Sequence, residues 1–193
     1  KKSVEAVAER VSSSPVPVEV WAMDEHRLGL KPIVRRVWVP RRTAPTVKVY
    51  PRYTWLYLYG FVQPETGKTF WLLLPTVNIA MMNLALREFA SAVGAGASKR
   101  VVLVLDGAGW HTSAAVVIPE GIELMRLPPY SPELQPAERL WALSDDPLAN
   151  RVPANLDELE DTLVARCKAL MQDTETVRRH TLFHWWPRVA AAA

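Results

Sequence analysis

Three carboxylates stand where chemistry, rather than packing, explains them. Asp24 follows the apolar run 18–23, and Asp106 follows the apolar run 101–105. Short apolar runs bounded by turn signals read as buried strands, and an acid that ends such a strand is not core material. Glu138 lies in the stretch Pro128-Pro129-Tyr130-Ser131-Pro132-Glu133-Leu134-Gln135-Pro136-Ala137-Glu138-Arg139-Leu140-Trp141. Proline fixes φ and lacks an N–H, so this stretch predicts a rigid, extended approach. Pro136 suits the first position of a helix, which sets Glu138 in the first helical turn. Three converging carboxylates with no Arg or Lys between them repel, and protons or metal must relieve the repulsion. Hard carboxylate oxygens suit Mg²⁺ or Mn²⁺. Two such ions, about 4 Å apart, activate a nucleophile and stabilise a leaving oxygen in phosphodiester chemistry.

Plainer readings exist for each acid. Glu138 in a first turn stabilises the helix dipole, Asp106 before a glycine makes an Asx-type turn, and Asp24 pairs with an arginine. Their joint occurrence in one strand order favours a site.

A basic block points to the substrate. Residues 27–52 hold Arg27, Lys31, Arg35, Arg36, Arg41, Arg42, Lys48 and Arg52 and no Asp or Glu, although the net charge of the chain is only +3. Such a block predicts a polyanionic partner; a solvated basic loop is the plainer alternative. Arg35, Arg36, Arg41, Arg42 and Lys48 are the candidate phosphate contacts, and Trp38 among them is a candidate for stacking on bases.

The elements that must position these residues follow the order strand, hairpin, helix, strand, short helix, strand, helix, helix. Asp24 and Glu25 fall on opposite sides of a strand, so only one can join a site on a given face. The basic block predicts a projecting hairpin or loop. Tyr53, Trp55, Tyr57, Tyr59 and Phe61 alternate along a strand and read as core. Residues 64–67 form a turn and 69–74 the returning strand of an antiparallel hairpin. Asn78 caps a helix to Val93, stopped by Gly94. After Asp106, Gly107-Ala108-Gly109 lets the chain turn closely, and 112–117 reads as a short helix. Residues 122–127 form another strand. A helix from Pro136 ends near Asp145-Asp146-Pro147. A further helix runs from Asn155 to about Met171, with Glu158 placed as in a capping box and Cys167 on its apolar stripe. A last helix starts near Thr174. Right-handed crossovers bring the strands bearing Asp24 and Asp106 side by side, at the sheet edge where open α/β sheets place ligands.

The chain has 193 residues and 49% hydrophobic content, enough for one domain with a sizeable core and too apolar for disorder throughout. Its single Cys167 excludes an internal disulfide and a Cys-based zinc site and is compatible with a reducing cytoplasm. No signal peptide is visible, and no apolar run reaches the roughly 18 residues of a membrane span. The chain starts at Lys1 without Met, as expected of a fragment.

Asp24-Glu25 after an apolar strand, the run Leu105-Asp106-Gly107-Ala108-Gly109-Trp110-His111, and the proline-rich stretch from Leu127 to Glu138 together closely resemble the catalytic region of the DDE transposases, nearest the bacterial insertion-sequence branch of the mariner superfamily. The resemblance covers about residues 18–170. It implies an α/β, ribonuclease-H-like mixed sheet, an antiparallel hairpin plus parallel strands, flanked by helices. It implies a catalytic and metal-binding triad of Asp24, Asp106 and Glu138, with Asp24 and Asp106 bridging two Mg²⁺ or Mn²⁺ ions and Glu138 completing one site. His111 is then expected in a supporting position, contacting phosphate or orienting a ligand. The implied reaction is cleavage at the ends of an insertion sequence, followed by attack of the freed 3′-hydroxyl on target DNA. DNA and a second copy of the chain on that DNA are the expected partners, in a bacterial cytoplasm. The expected organisation is a helical lead-in or the tail of a DNA-reading domain over 1–17, the catalytic domain over 18–172, and a C-terminal helix and tail over 173–193. Gln135 stands where the family usually has Asn, and the 31 residues between Asp106 and Glu138 are a slightly short spacing. The helix-turn-helix reader such enzymes carry has no counterpart in this sequence. The alternative is therefore a truncated or domesticated derivative that binds DNA or dimerises without cutting. A nuclease of RNA–DNA hybrids fits the basic insertion poorly.

Overall fold

The apolar run after Pro17 forms the middle strand of a five-stranded sheet, because it has apolar partners on both edges and both faces. The computed structural model describes residues 14–36, 38–42, 46, 53–128 and 131–187. The lead-in helix, Lys48, Arg52, Pro129 and Tyr130 lie outside the described residues. The strands are β1 (Val18–Gly29), β2 (Trp55–Gln63), β3 (Lys68–Leu74), β4 (Arg100–Leu105) and β5 (Ile122–Arg126), in the order β3-β2-β1-β4-β5. β3, β2 and β1 pair antiparallel, and β1, β4 and β5 pair parallel. The hairpin and the side-by-side placement of β1 and β4 match the expectation from sequence.

Helices cover both faces, as a sheet with parallel strands requires. On one face α1 (Ile79–Val93) lays Met82, Leu86 and Phe89 over Trp21, Met23, Tyr59, Phe61, Leu103 and Leu105. Asn78 caps α1 by accepting from the Met81 N–H at 2.9 Å, and Gly94 ends it in the left-handed region at φ 69°, which glycine adopts without strain. On the other face lie α3 (Arg139–Ser144), α4 (Leu156–Gln172) and α5 (Thr174–Thr181). Leu140, Leu143, Leu170 and Val177 pack there against Val20, Ala22, Val62, Val102 and Val104. Cys167 is a small core residue of α4, and burial pushes its thiol up to about 12. Glu158 reaches past the Asn155 cap to accept from the Ala154 N–H at 2.7 Å. Among the described residues no helix is long and apolar enough to cross a membrane.

Four local expectations need correction. β1 does not end at Met23 but continues to Gly29, because its pairing with β2 runs on after its pairing with β4 stops at Ala22. The short helix after Asp106 is α2 (Gly109–Thr112), not 112–117. The backbone at 115–117 goes instead to α1, where Asn83 donates to Ala115 O and accepts from the Val117 N–H. The helix from Pro136 opens as a 3₁₀ turn, Pro136–Glu138, and becomes α-helical at Arg139. The aromatic ladder is core only at its far end. Tyr59 and Phe61 are fully buried, whereas Trp55 and Tyr53 are exposed beneath the cations of Arg27 and Lys31, at 5.3 and 4.8 Å.

Phe89 anchors the α1 face, stacked on Phe61 with centroids 4.4 Å apart and edge-on to Trp21 at 5.2 Å. Phe89→Ala is expected to destabilise the chain by about 3–5 kcal/mol, the usual loss for a buried aromatic, read as a lower midpoint in urea denaturation. A loss below about 1 kcal/mol would show that the core closes over the gap.

Candidate active site

The register of β1 against β4 builds the site. The parallel pairing closes at Ala22↔Val104, and two residues further along each chain stand Asp24 and Asp106. The charges of Asp24 and Asp106 act on each other, and that of Asp106 acts on Glu138. These three acids, separated by up to 114 positions in sequence, therefore share one end of the sheet.

Each acid is held differently. Asp24 is largely enclosed, and its Oδ2 accepts from Trp141 Nε1 at 2.9 Å. Burial pushes its carboxyl up to about 7 from 3.8, with help from the charges of Glu25 and Asp106, although the Trp141 hydrogen bond favours the anion. Asp106 is half exposed, and its Oδ1 accepts from His111 Nδ1 at 2.7 Å and from the Ala108 N–H at 3.0 Å. The His111 hydrogen bond holds its carboxyl below the usual carboxylate range. Glu138 is exposed and caps no helix with its side chain. Partial burial, aided by Asp106 and Glu133 against Arg139, raises its carboxyl. The plainer reading of Asp24 as an arginine's partner does not hold: its hydrogen bond is to an indole.

His111 is fully buried and bridges β1 and the residue that follows β4. Its Nε2 lies 2.8 Å from Glu25 Oε1, and its Nδ1 lies on Asp106. Burial works against an imidazolium, but the bonds to Asp106 and Glu25 outweigh it and push the ring up to about 9. At neutral pH His111 is a buried cation between two carboxylates. It is thus out of reach of a phosphate and instead orients Asp106. Glu25, nearly buried and also hydrogen-bonded by Trp110 Nε1 at 3.3 Å, faces the α1 side while Asp24 faces α3. The two acids do face opposite ways, yet Glu25 supports the site from behind.

The proline-rich stretch is fixed by more than its prolines. Pro136 and Ala137 are buried, and the buried Gln135 donates from Nε2 to Met23 O at 2.9 Å, one residue before Asp24. Its Oε1 also accepts from the Ala137 N–H at 3.4 Å. Glutamine thus clamps the turn onto β1 while capping it weakly. Sequence reasoning weighed Gln135 only as a cap and gave Trp141 no role. A usable signal was the spacing: Trp141 follows Glu138 by three residues and shares its helix face.

The basic block divides. Arg35 donates to Asp146 Oδ1 at 3.2 Å and to Ala142 O at 2.9 Å, and its backbone is held on both sides by Asn150. It ties the root of the loop to the end of α3. Arg36, Trp38, Arg41 and Arg42 are exposed, with Trp38 fully so.

A divalent cation fits the donor set. Asp24 Oδ1 and Asp106 Oδ2 receive no side-chain hydrogen bond among the described residues, and the Glu25 backbone N–H also serves the Asp24 carboxylate. Among those residues no three His, Cys, Asp or Glu groups already form a cage.

The sequence model of the DDE superfamily endonucleases matches residues 19–160. The chain is 36% identical over 132 residues to an uncharacterised protein, y4pE/y4sA, of Sinorhizobium fredii, an overlap of 68% of this chain and 96% of that one. Its fold is similar to that of Mos1 in a strand transfer complex (TM-score 0.58, 18% identity) and in a mariner paired-end complex with Mn (TM-score 0.60, 18% identity). These overlaps cover 95% and 94% of this chain and 61% of each Mos1 chain, so the chain spans about three-fifths of their length. At this identity the likeness establishes the fold, the ribonuclease-H-like class expected from the sequence.

Asp24 sets a pH dependence. Its carboxyl lies near 7 when folded and 3.8 when unfolded. Below pH 4 both states hold the proton and nothing is lost. From pH 4 to 7 the unfolded chain releases it first and stability falls; above 7 the deficit is constant, at most about 4 kcal/mol. In EDTA, Asp24→Asn is therefore expected to be more stable than the parent chain at pH 8 and to converge with it near pH 4, measured by urea denaturation. Equal stability at pH 8 would show that the buried carboxylate is compensated.

Proposed function

This chain belongs to the DDE superfamily endonucleases, and from that premise we propose that it is the catalytic domain of a transposase that cuts DNA at the ends of an insertion sequence and joins the freed ends to target DNA. The observation that carries the proposal is the meeting of Asp24, Asp106 and Glu138 at one sheet end, with two of the three carboxyls raised by burial and by one another. Asp24 and Asp106 would hold two Mg²⁺ or Mn²⁺ ions between them, and Glu138 would complete one site. When bound, such ions polarise a phosphoryl oxygen and lower the pKa of water.

The chain's own groups do the rest. His111 holds Asp106 by a charged hydrogen bond to Oδ1, so this ligand is oriented before any cation arrives. Glu138 is exposed at the rim, free of any capping bond, where a substrate strand can approach. Arg36, Arg41, Arg42 and Trp38, exposed on the loop after β1, neutralise DNA phosphates and stack on bases; Lys48 belongs to the same block. Arg35 contributes by anchoring the loop. In the reaction, water attacks the phosphorus, the P–O3′ bond breaks and a 3′-hydroxyl is freed. That hydroxyl then attacks a target phosphodiester, one P–O bond forming as another breaks. The paired-end complex of Mos1 supports two copies of the chain acting together on DNA.

In Mg²⁺ or Mn²⁺, the chain joined to a reader of its element ends is expected to nick terminal-repeat DNA. Asp106→Ala should lower the rate at least about a hundredfold, since even supporting residues of metal sites cost 10–100-fold. Uncut DNA with both metals would overturn the proposal. Replacing Arg36, Arg41 and Arg42 with Ala is expected to lower the slope of log affinity against log salt by about 2–3. An unchanged slope would place the loop away from DNA.

A further inference from the structure

The indole of Trp141 has a seat made for it. Gly60 is paired across the sheet with Asp24, and a Cβ at Gly60 would stand 2.9 Å from Cη2 of the Trp141 ring and 3.0 Å from the ring of Trp71. Only glycine leaves the strand surface low enough for the indole to lie on it. His26 stacks on the indole with centroids 4.9 Å apart and planes 19° from parallel, and is itself held by Asp145 at 3.0 Å. These neighbours come from β1, β2, β3 and the end of α3. Together they aim one atom, Nε1, at Asp24 Oδ2.

The arrangement at Asp106 is the counterpart. There the ring N–H of His111, itself fixed by Glu25, occupies Oδ1. Each of the two aspartates therefore has one oxygen taken by a ring nitrogen fixed from behind. The terminal torsion of an aspartate is otherwise broad, and a free carboxylate can offer a cation either oxygen or both. A fixed one-oxygen presentation suits Mg²⁺, which demands near-octahedral geometry. Ca²⁺ tolerates bidentate carboxylates and irregular shells.

We propose that Trp141 is a positioning residue: its N–H locks Asp24 so that Oδ1 alone faces the cation site, as His111 leaves Oδ2 of Asp106, and this lock favours Mg²⁺ over Ca²⁺. The assignment rests on the reading of Asp24 and Asp106 as cation ligands. Its role is distinct from that of the ligands, since the indole N–H bonds a carboxylate and cannot itself bind a cation.

The test replaces Trp141 in the full chain with 3-benzothienylalanine, which keeps the shape of the indole and exchanges the N–H for sulfur, beside Trp141→Phe. Mg²⁺ and Ca²⁺ binding are measured by calorimetry without DNA, and thermal stability is measured in EDTA. The isostere is expected to melt within a few degrees of the parent, to lose about 10–100-fold in Mg²⁺ affinity, and to lose little in Ca²⁺ affinity. Equal losses for both ions, or none, would overturn the lock. If Asp24→Ala leaves Mg²⁺ binding unchanged, the cation site itself fails, and the assignment with it. If Asp24→Ala abolishes binding while the isostere does not, the positioning role alone fails. Indole ¹⁵N–¹H spectra give an independent reading: the resonance missing in Trp141→Phe should move in Asp24→Ala, and an unmoved resonance would show that the hydrogen bond is absent.

Discussion

The parallel pairing of β1 with β4 is the constraint from which the site follows. It aligns residues 18–22 with 100–104, and the two chains then run on from Ala22 and Val104 in step. Side chains alternate along a strand, so Asp24 and Asp106 inherit the face of Ala22 and Val104, toward α3 and α5. A shift of β1 by one residue would turn Asp24 to the α1 face and part it from Asp106. The two hydrophobic layers oppose that shift, because each strand presents a different apolar set to each layer.

Holding those acids together works against folding. Asp24 is enclosed with Glu25 and Asp106 near it, and the buried imidazolium of His111 answers two of these three acids, Glu25 and Asp106. Glu25 and Asp106 both raise the imidazole against the burial that lowers it. An acid on β1 and an acid just after β4 thus share a single charged histidine inside the core. On the proposed reading, a metal ion and a polyanion held by the exposed arginines would meet on the outer side of the acids.

Much of this was legible in the sequence because it depends on local pattern. Apolar runs gave the strands, Asn78 and Gly94 bounded α1, and the order of elements predicted which strands adjoin. The acids stood out because each interrupts a pattern that predicts burial. What sequence did not disclose were contacts whose partners are far apart in the chain. Gln135 reaches Met23, Trp141 reaches Asp24, and Asp145 reaches His26, across 112, 117 and 119 positions. Residue type alone gives such pairs no signature. The helix expected over 112–117 failed for a related reason: the backbone there is satisfied by Asn83, so propensity had no say. Arg35 looked like its neighbours in the basic block until Asp146 and Asn150 arrived from the other end of the chain.

The proline-rich stretch illustrates how local stiffness and distant contacts divide the work. Prolines restrict the conformations available to the approach, but restriction does not choose a position relative to β1. That choice comes from burial of Pro136 and Ala137 and from Gln135, whose side chain spans from the turn to the Met23 carbonyl. Asparagine is the better cap for a helix, but it is one methylene shorter, and here the longer side chain both caps and reaches the strand. Beyond Glu138 the chain is fixed again by Trp141, whose seat exists because Gly60 has no side chain. Glu138 is therefore bracketed by two anchors, each on the strand that carries Asp24. Its carboxylate can stay exposed and still be placed, because its neighbours rather than its own contacts define where it stands.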